Sequence, residues 1–285
     1  MDPHDGETAE RIILSMPHQD RLRRVSSRHN ALVKELRRAF HDGEPASDGS
    51  IAIESVRTIE EAIRSGLRFR TVFFSESGQA RAERLLPQLS TQVETLLLPD
   101  EVFQGVVATE TPQGVAALVR LKTHKLEDLL AATKPLILAA AGVQDPGNLG
   151  TMIRSAEAFA AAGLLTGEGT VSPYNPKVVR ASAGSLFRLP VLVVELEPVL
   201  AELRERGLKL LATSSHKGTP VDEADLTVGA VVLIGNEGAG VPKEIMRQVD
   251  KQIAIPHKSK VESLNAGIAA SIVLYEAARQ RRTKE

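Results

Sequence analysis

Residues 136–162 read LILAAAGVQDPGNLGTMIRSAEAFAAA. Six uninterrupted apolar residues, Leu136–Ala141, have the length and density of a strand covered on both faces, the kind that parallel sheets use. Gly142 ends the run, Pro146-Gly147 punctuates a polar turn, and an Ala-rich helical pattern follows from Asn148 to Ala162. The rest of this half repeats the alternation. Leu189–Val194, Leu208–Ala212 and Val231–Ile234 are short apolar runs of buried-strand type, and helical patterns fall at Pro198–Arg206, Pro242–Val249 and Ser263–Gln280. Such a sequence predicts an α/β fold, a mostly parallel sheet flanked by helices.

Working back toward the N-terminus, Leu121–Lys134 is polar and charged and marks a domain boundary. Ahead of it, Ile51–Ile53, Thr71–Phe74, Glu94–Leu98 and Gly114–Val119 read as strands. Ser55–Ser65, closed by Gly66, and Ala80–Leu89 and Asp100–Val106 read as helices. This is a smaller α/β domain over 21–122, with 134–285 as the second domain. Residues 1–20 lack sustained periodicity and read as a loose leader, in which Met16 is an alternative start. Between Arg21 and Arg38 stand Arg21, Arg23, Arg24, Arg28, Lys34, Arg37 and Arg38, opposed only by Glu35. The plain reading is a solvated helix face; the functional one is a footprint for phosphates.

Composition narrows the function. The 285 residues carry 35 Lys+Arg and 36 Asp+Glu, a net charge of −1, so attraction to nucleic acid has to come from a local patch. There are no cysteines, which excludes disulfides, thiolate nucleophiles and Cys-ligated metals. No apolar run reaches the ~18–20 residues of a membrane span, and the acid-rich first 20 residues are the wrong charge for a signal peptide. A cytoplasmic protein without a membrane partner is the expectation. The seven histidines are scattered without an HxxxH pair, so no metal site is expected.

In parallel sheets ligands bind beyond the carboxyl ends of strands. Three polar, glycine-rich loops occupy such places: Asp145-Pro-Gly-Asn-Leu-Gly150, Ile234-Gly-Asn-Glu-Gly-Ala-Gly-Val-Pro242, and Ile255-Pro-His-Lys-Ser-Lys-Val-Glu-Ser-Leu-Asn265. Each alone is common turn chemistry. Gly235, Gly238 and Gly240 have the order GxxGxG, not the dinucleotide-binding GxGxxG, and neither a phosphate loop nor a serine-hydrolase elbow is present.

Together, in this order and spacing, the loops resemble the three signature motifs of the SpoU/TrmH-type RNA ribose methyltransferases of the SPOUT superfamily. The matches are Asp145–Ala160, Leu233–Pro242 and Ile255–Glu276, with Ala181-Ser-Ala-Gly-Ser185 and Leu189-Pro-Val between the first two. Ser27-Arg-His-Asn-Ala-Leu-Val-Lys34 and Ile53-Glu-Ser-Val-Arg57 resemble the ribosomal-protein-like RNA-binding domain often fused to these enzymes. Ser55 stands where such domains often have glycine, and Gly267 where Val or Ser is more usual.

The resemblance implies a deep trefoil knot in the C-terminal domain, a homodimer, and methyl transfer from S-adenosylmethionine to a ribose 2′-hydroxyl of structured RNA. Large-subunit 23S ribosomal RNA is the expected substrate; transfer RNA, or a catalytically silent RNA-binding factor on the same fold, stays open. It assigns catalytic roles to Asn148, Arg154, Glu237, Ser263 and Asn265. The plain alternatives are a surface salt bridge for Arg154, a helix cap for Glu237, and N-capping for Ser263 and Asn265. It places the cofactor on Thr213, Ser214, Leu233, Gly235, Glu237, Ile255, Ser263, Leu264 and Asn265, mostly through backbone groups. Arg21, Arg24, Arg28, Lys34, Arg57 and Lys258 are the candidates for RNA contact. An arginine stays protonated, so Arg154 is expected to position phosphate and hydroxyl rather than remove a proton.

Overall fold

The computed structural model describes residues 21–282 except 47, 216, 259 and 261, so the leader at 1–20 lies outside the described residues. The chain divides into two compact units, the first ending at Arg120 and the second starting at Leu121.

The N-terminal unit has strands β1 (Leu22–Arg24), β2 (Ser50–Glu54), β3 (Arg68–Ser75), β4 (Glu94–Leu98) and β5 (Val115–Arg120), in the order β1-β4-β3-β5-β2. β1, β4 and β3 run parallel, and β5 joins β3 to β2 by antiparallel pairing. Helices α1 (Ala31–Asp42), α2 (Val56–Arg64), α3 (Gln79–Leu85) and α4 (Asp100–Gln104) pack on it. One core joins Val33, Leu36 and Phe40 of α1 to Ala52, Phe73, Leu96 and Leu118 of the sheet and Phe103 of α4. Lys34, Arg37 and Arg38 are exposed on α1, but strand β1 corrects the helix-face expectation for Arg23 and Arg24. Its arginines project from an edge strand rather than a helix face, and α1 begins only at Ala31, where the Asn30 side chain accepts from the N–H groups of Leu32 and Val33. The Ser55 side chain likewise caps α2 through Thr58 N–H, but at φ +82°, a backbone conformation that favours glycine.

The C-terminal unit starts with α5 (Leu126–Leu129), inside the stretch expected as a boundary; Leu129 is fully buried in this unit's core. Seven strands follow: β6 (Leu136–Ala141), β7 (Gly163–Thr166), β8 (Val191–Val193), β9 (Lys209–Ser214), β10 (Thr219–Pro220), β11 (Ala230–Gly235) and β12 (Lys251–Ala254). All pairings are parallel, in the order β10-β12-β9-β11-β6-β7-β8. The helices are α6 (Pro146–Ala158), α7 (Pro176–Ala181), α8 (Leu196–Glu205), α9 (Lys243–Met246) and α10 (Ala266–Arg282). From β6 the chain first builds outward through β7 to β8, then returns to build β9 on the other side. The order reverses beside β6, the place where open parallel sheets hold ligands.

Register fixes what meets there. Gly235 pairs with Ala141 and Ala254 with Ser214, so β6 and β11 end side by side, as do β9 and β12. Helix α10 lies against α6: Ser155 Oγ and Ser271 Oγ are 2.7 Å apart. A Cβ at Gly267 would stand 3.0 Å from Thr151 Cβ, so the unusual glycine lets the two helices close. Arg281, near the end of α10, donates to the carbonyls of Lys134, Leu226 and Val228. No helix among the described residues is long and apolar enough to cross a membrane.

Candidate active site

The turn after β6 enters α6 through Asp145, whose side chain accepts from Asn148 N–H at 2.8 Å, with Pro146 in the first turn. Capping places Asn148 at the strand end, 6% exposed. Its Nδ2 donates to Glu237 Oε1 at 2.8 Å, joining the first glycine-rich loop to the second. The N–H groups of Gln144 and Asp145 approach the same carboxylate at 3.4 Å. Burial alone would raise the Glu237 carboxyl, but donation from Asn148 and the surrounding backbone N–H groups outweighs it and holds the group below its ordinary value. Glu237 is therefore a carboxylate at neutral pH.

Asn236 makes a parallel tie. Its Nδ2 donates to Gly142 O at 2.8 Å, while its Oδ1 accepts from Gly238 and Ala239 N–H. The loop folds back so that Asn236 and Gly240 exchange backbone hydrogen bonds, pressing it onto Gly235. A Cβ at Gly235 would lie 2.2 Å from the Gly240 carbonyl carbon, so glycine there is a steric requirement.

Beside these ties opens a cleft lined by Thr213, Ser214, Ser215, Ile234, Gly235, Asn236, Glu237, Gly240, Ile255, His257, Ser263, Leu264, Ala266 and Ala269. It is open to solvent and encloses about 90 Å³. Of the residues expected to hold a cofactor, Thr213, Ser214, Gly235, Glu237, Ile255, Ser263 and Leu264 line it. Leu233 does not. It is fully buried, and its carbonyl accepts from Thr213 Oγ1 at 3.1 Å, so it supports the wall from beneath. Asn265 also stays outside the lining; α10 starts at Ala266, and the Asn265 side chain accepts from Ile268 N–H at 3.1 Å. Its capping role is real, whereas Ser263 precedes the helix and lies on the cleft.

Arg154 is exposed on α6 and is not part of the cleft lining; among the described residues none pairs with it. Ser215, Asn236 and His257 are site residues that the sequence reading passed over. Asn236 and His257 lay inside the quoted loops, but their bridging partners, Gly142 O and Ile255 O, are backbone atoms without a sequence signature. Among the described residues no group of three His, Cys, Asp or Glu side chains is arranged to hold a metal ion.

In the N-terminal unit the candidate RNA residues divide. Arg21 donates to the carbonyls of Leu86 and Ser90, Arg24 pairs with Glu76 at 2.7 Å, and Arg28 stands 3.9 Å from Glu101. Lys34 and Arg57 are exposed, as is Arg37, and among the described residues none of the three has an acidic partner. Lys258 is exposed beside the cleft.

The comparisons with known proteins agree with this geometry. Residues 135–275 match the model of the SpoU rRNA methylase family, and residues 30–117 that of the MRM3-like substrate binding domain. The 23S rRNA (guanosine(2553)-2'-O)-methyltransferase RlmP of Bacillus subtilis is 32% identical over 254 residues, covering 89% of this chain and 98% of the relative. The chain is a member of the SpoU rRNA methylase family. Another relative, the 23S rRNA (uridine(2479)-2'-O)-methyltransferase of Streptomyces viridochromogenes, is 33% identical over 82% of this chain and 84% of its own. The crystal structure of the SpoU methyltransferase AviRb from that organism, in complex with the cofactor AdoMet, superposes with a TM-score of 0.77 at 29% identity, covering 90% of this chain and 99% of AviRb. A SpoU methylase requires a place for that cofactor. The cleft fits it: hydroxyls and backbone groups line the walls, and Gly235 gives close access to the main chain.

Proposed function

We propose that the protein transfers a methyl group from S-adenosylmethionine to a ribose 2′-hydroxyl of 23S ribosomal RNA. The observation that carries this reading is the Asn148–Glu237 hydrogen bond, which fixes the first and second loops as one wall beside the cleft that the third completes. When bound there, S-adenosylmethionine supplies a methyl group already activated by its sulfonium. The chain's own task is to hold the nucleophile in line and manage its proton, each a large contribution to rate. Asn148, buried and outside the cleft lining, is tied to its own cap and to Glu237, which it holds in place on the lining. Ser263 adds a hydroxyl to the cleft lining. Arg154, a permanent cation, holds the phosphate beside the target ribose.

Its position outside its own chain's cleft favours a homodimer in which Arg154 completes the partner's site. The outward face of α10 supports that assembly. Ile268 and Tyr275, one heptad apart, are 53% and 50% exposed on a helix that packs against α6. Phe159 of α6 meets the Tyr275 ring edge-on at 5.8 Å between centroids. The return of the chain from β12, which lies between β10 and β9, to α10, packed on α6, supports the trefoil knot as part of the same reading. The exposed cations of α1 and α2 serve RNA binding in the N-terminal unit, and the place of action is the cytoplasm, where ribosomal RNA is modified.

Mapping ribose methylation on ribosomal RNA from cells with and without the protein tests the proposal. One 23S position that loses its methyl group, and regains it with purified protein and S-adenosylmethionine, is the expected result. A complete 23S pattern in its absence, with a methyl group missing from transfer RNA instead, would redirect the substrate.

A further inference from the structure

The turn that leads from β6 into α6 is held from a second side. Gly142, the first residue after β6, has φ +83°. Its carbonyl accepts from Asn236 Nδ2, and its N–H donates to Thr170 Oγ1 at 3.0 Å. Thr170 belongs to the loop after β7, outside the three glycine-rich loops. Its own hydroxyl hydrogen goes to the Ala140 carbonyl, also at 3.0 Å. One hydroxyl thus accepts from the turn and donates to the strand beneath it, which uses its single hydrogen and one lone pair.

The loop that carries Thr170 is itself anchored. Gly167 N–H donates to Ala140 O and Val171 N–H to Val143 O, each at 2.9 Å. A Cβ at Gly167 would lie 2.2 Å from Leu196 Cδ1, so the loop is pressed onto α8. Strands β7 and β11 flank β6, so Thr170 and Asn236 grip Gly142 from opposite neighbours. The N–H groups of Gln144 and Asp145, further along the same turn, approach Glu237, and Asp145 caps α6 at Asn148. Asn236 and Glu237 ride on one loop; Thr170 is the side chain that ties the turn to the sheet instead. Without its hydroxyl the Gly142 N–H loses its acceptor, and the turn is free to shift and carry Asn148 with it. A displacement of about 1 Å near reacting groups can cost about 100-fold in rate.

We infer that Thr170 is a positioning residue for methyl transfer: by clamping Gly142 onto Ala140 it sets where the Asn148–Glu237 pair stands beside the cleft. The inference rests on the catalytic reading of that pair. Its effect runs through Asn148, so loss of the Thr170 hydroxyl and loss of the Asn148 amide are not independent. Serine keeps the hydroxyl, whereas valine keeps the shape and loses both hydrogen bonds.

Methyl transfer by the full chain to 23S ribosomal RNA from cells lacking the protein, together with amide hydrogen exchange across 142–150, tests it. Thr170→Val is expected to lower kcat about tenfold, with KM for the RNA within about threefold and the melting temperature within about 4 °C. Thr170→Ser is expected to restore kcat to within about threefold. Adding Asn148→Ala to Thr170→Val is expected to leave kcat near that of Asn148→Ala alone, not the roughly 100-fold loss of two independent effects. Exchange across 142–150 is expected to speed up about tenfold in Thr170→Val and little in Thr170→Ser. If the valine variant does not fold, Thr170→Ala enters the same comparisons. Unchanged kcat without the hydroxyl, a loss carried by KM, losses that multiply with Asn148→Ala, unchanged exchange, or no rescue by serine overturns the inference. If the unsubstituted protein transfers no methyl group to this RNA, the functional reading falls and the role in transfer with it, while exchange still reports whether Thr170 holds the turn.

Discussion

Asn148 and Glu237 are 89 residues apart in sequence and 2.8 Å apart in space, an amide donating to a carboxylate across the boundary between two glycine-rich loops. The bond makes each loop's conformation depend on the other. Asn148→Ala removes the strongest donor to Glu237 and is expected to lower kcat by about tenfold or more while costing about 1 kcal/mol of stability. The carboxylate is held below its ordinary value of 4.5, so its contribution is present above that value and is lost as pH falls through the lower, folded value. Steady-state kinetics and thermal melting between about pH 7 and pH 3 measure both effects.

Arg154→Ala is expected to bind S-adenosylmethionine within about twofold of the unsubstituted protein and to lose methyl transfer by about 100-fold. Mixing Arg154→Ala chains with Glu237→Gln chains separates the two possible geometries. Partial recovery of transfer is expected if the arginine serves a partner's cleft, and no recovery if it serves its own.

Gly235→Ala places a methyl group 2.2 Å from the Gly240 carbonyl carbon, so the loop has to move away from the strand end. Cofactor affinity is expected to fall by about tenfold or more, because the displaced loop carries Asn236 and Glu237. The sheet beneath remains intact, and circular dichroism at low temperature is expected to show no change.

Neutralising Lys34, Arg37 and Arg57 together is expected to weaken RNA binding and reduce the magnitude of its salt slope by about 2, since these cations are not engaged with acidic side chains. Neutralising Arg21, Arg24 and Arg28 is expected to flatten the slope less and to destabilise the N-terminal unit more. Arg21 alone supports two backbone carbonyls. Filter binding across a salt series, paired with thermal melting, distinguishes the sets.

Ser55→Gly relieves a serine held at φ +82° while giving up its cap on Thr58 N–H. Positive-φ strain of about 1–3 kcal/mol exceeds the few tenths lost when glycine replaces a serine cap, so a net gain of about 1 kcal/mol is expected. Denaturant titration gives the sign.

The parts of the fold that the amino acids announced are those buried on both sides. Leu136–Ala141 is entirely buried and reads as an apolar run; β11 is buried up to Ile234 and reads likewise. Edge strands and short or polar strands were harder to see. Strand β1 is Leu-Arg-Arg, and its cations mask its pairing because they reach out to Glu94 and Glu76. Strand β12 opens with Lys-Gln and stood unassigned between the helical pattern at Pro242–Val249 and the loop that starts at Ile255. Strand β7 hid behind the Ala-rich end of α6. The run at Leu189–Val194 was read as a buried strand, yet β8 is the sheet's edge and Val193 is 62% exposed. In the site, side chains that bond to each other were legible through their motifs. Leu233 and Asn265, expected on the cofactor from the resemblance, lie outside the cleft lining: the Leu233 carbonyl accepts from Thr213 Oγ1, and Asn265 caps α10.

The pairing of Leu136 with Ala230 has a consequence for how the chain is made. During synthesis β6 emerges early and has β7 for company, but its other edge waits for β11, and Asn148 waits for Glu237. Contacts of such sequence separation form slowly because a long loop must close first. A nascent chain therefore has no finished catalytic wall until nearly all of it has left the ribosome, and premature termination ahead of residue 230 yields a fragment with an unsatisfied central strand, prone to aggregate and suited to disposal by proteases.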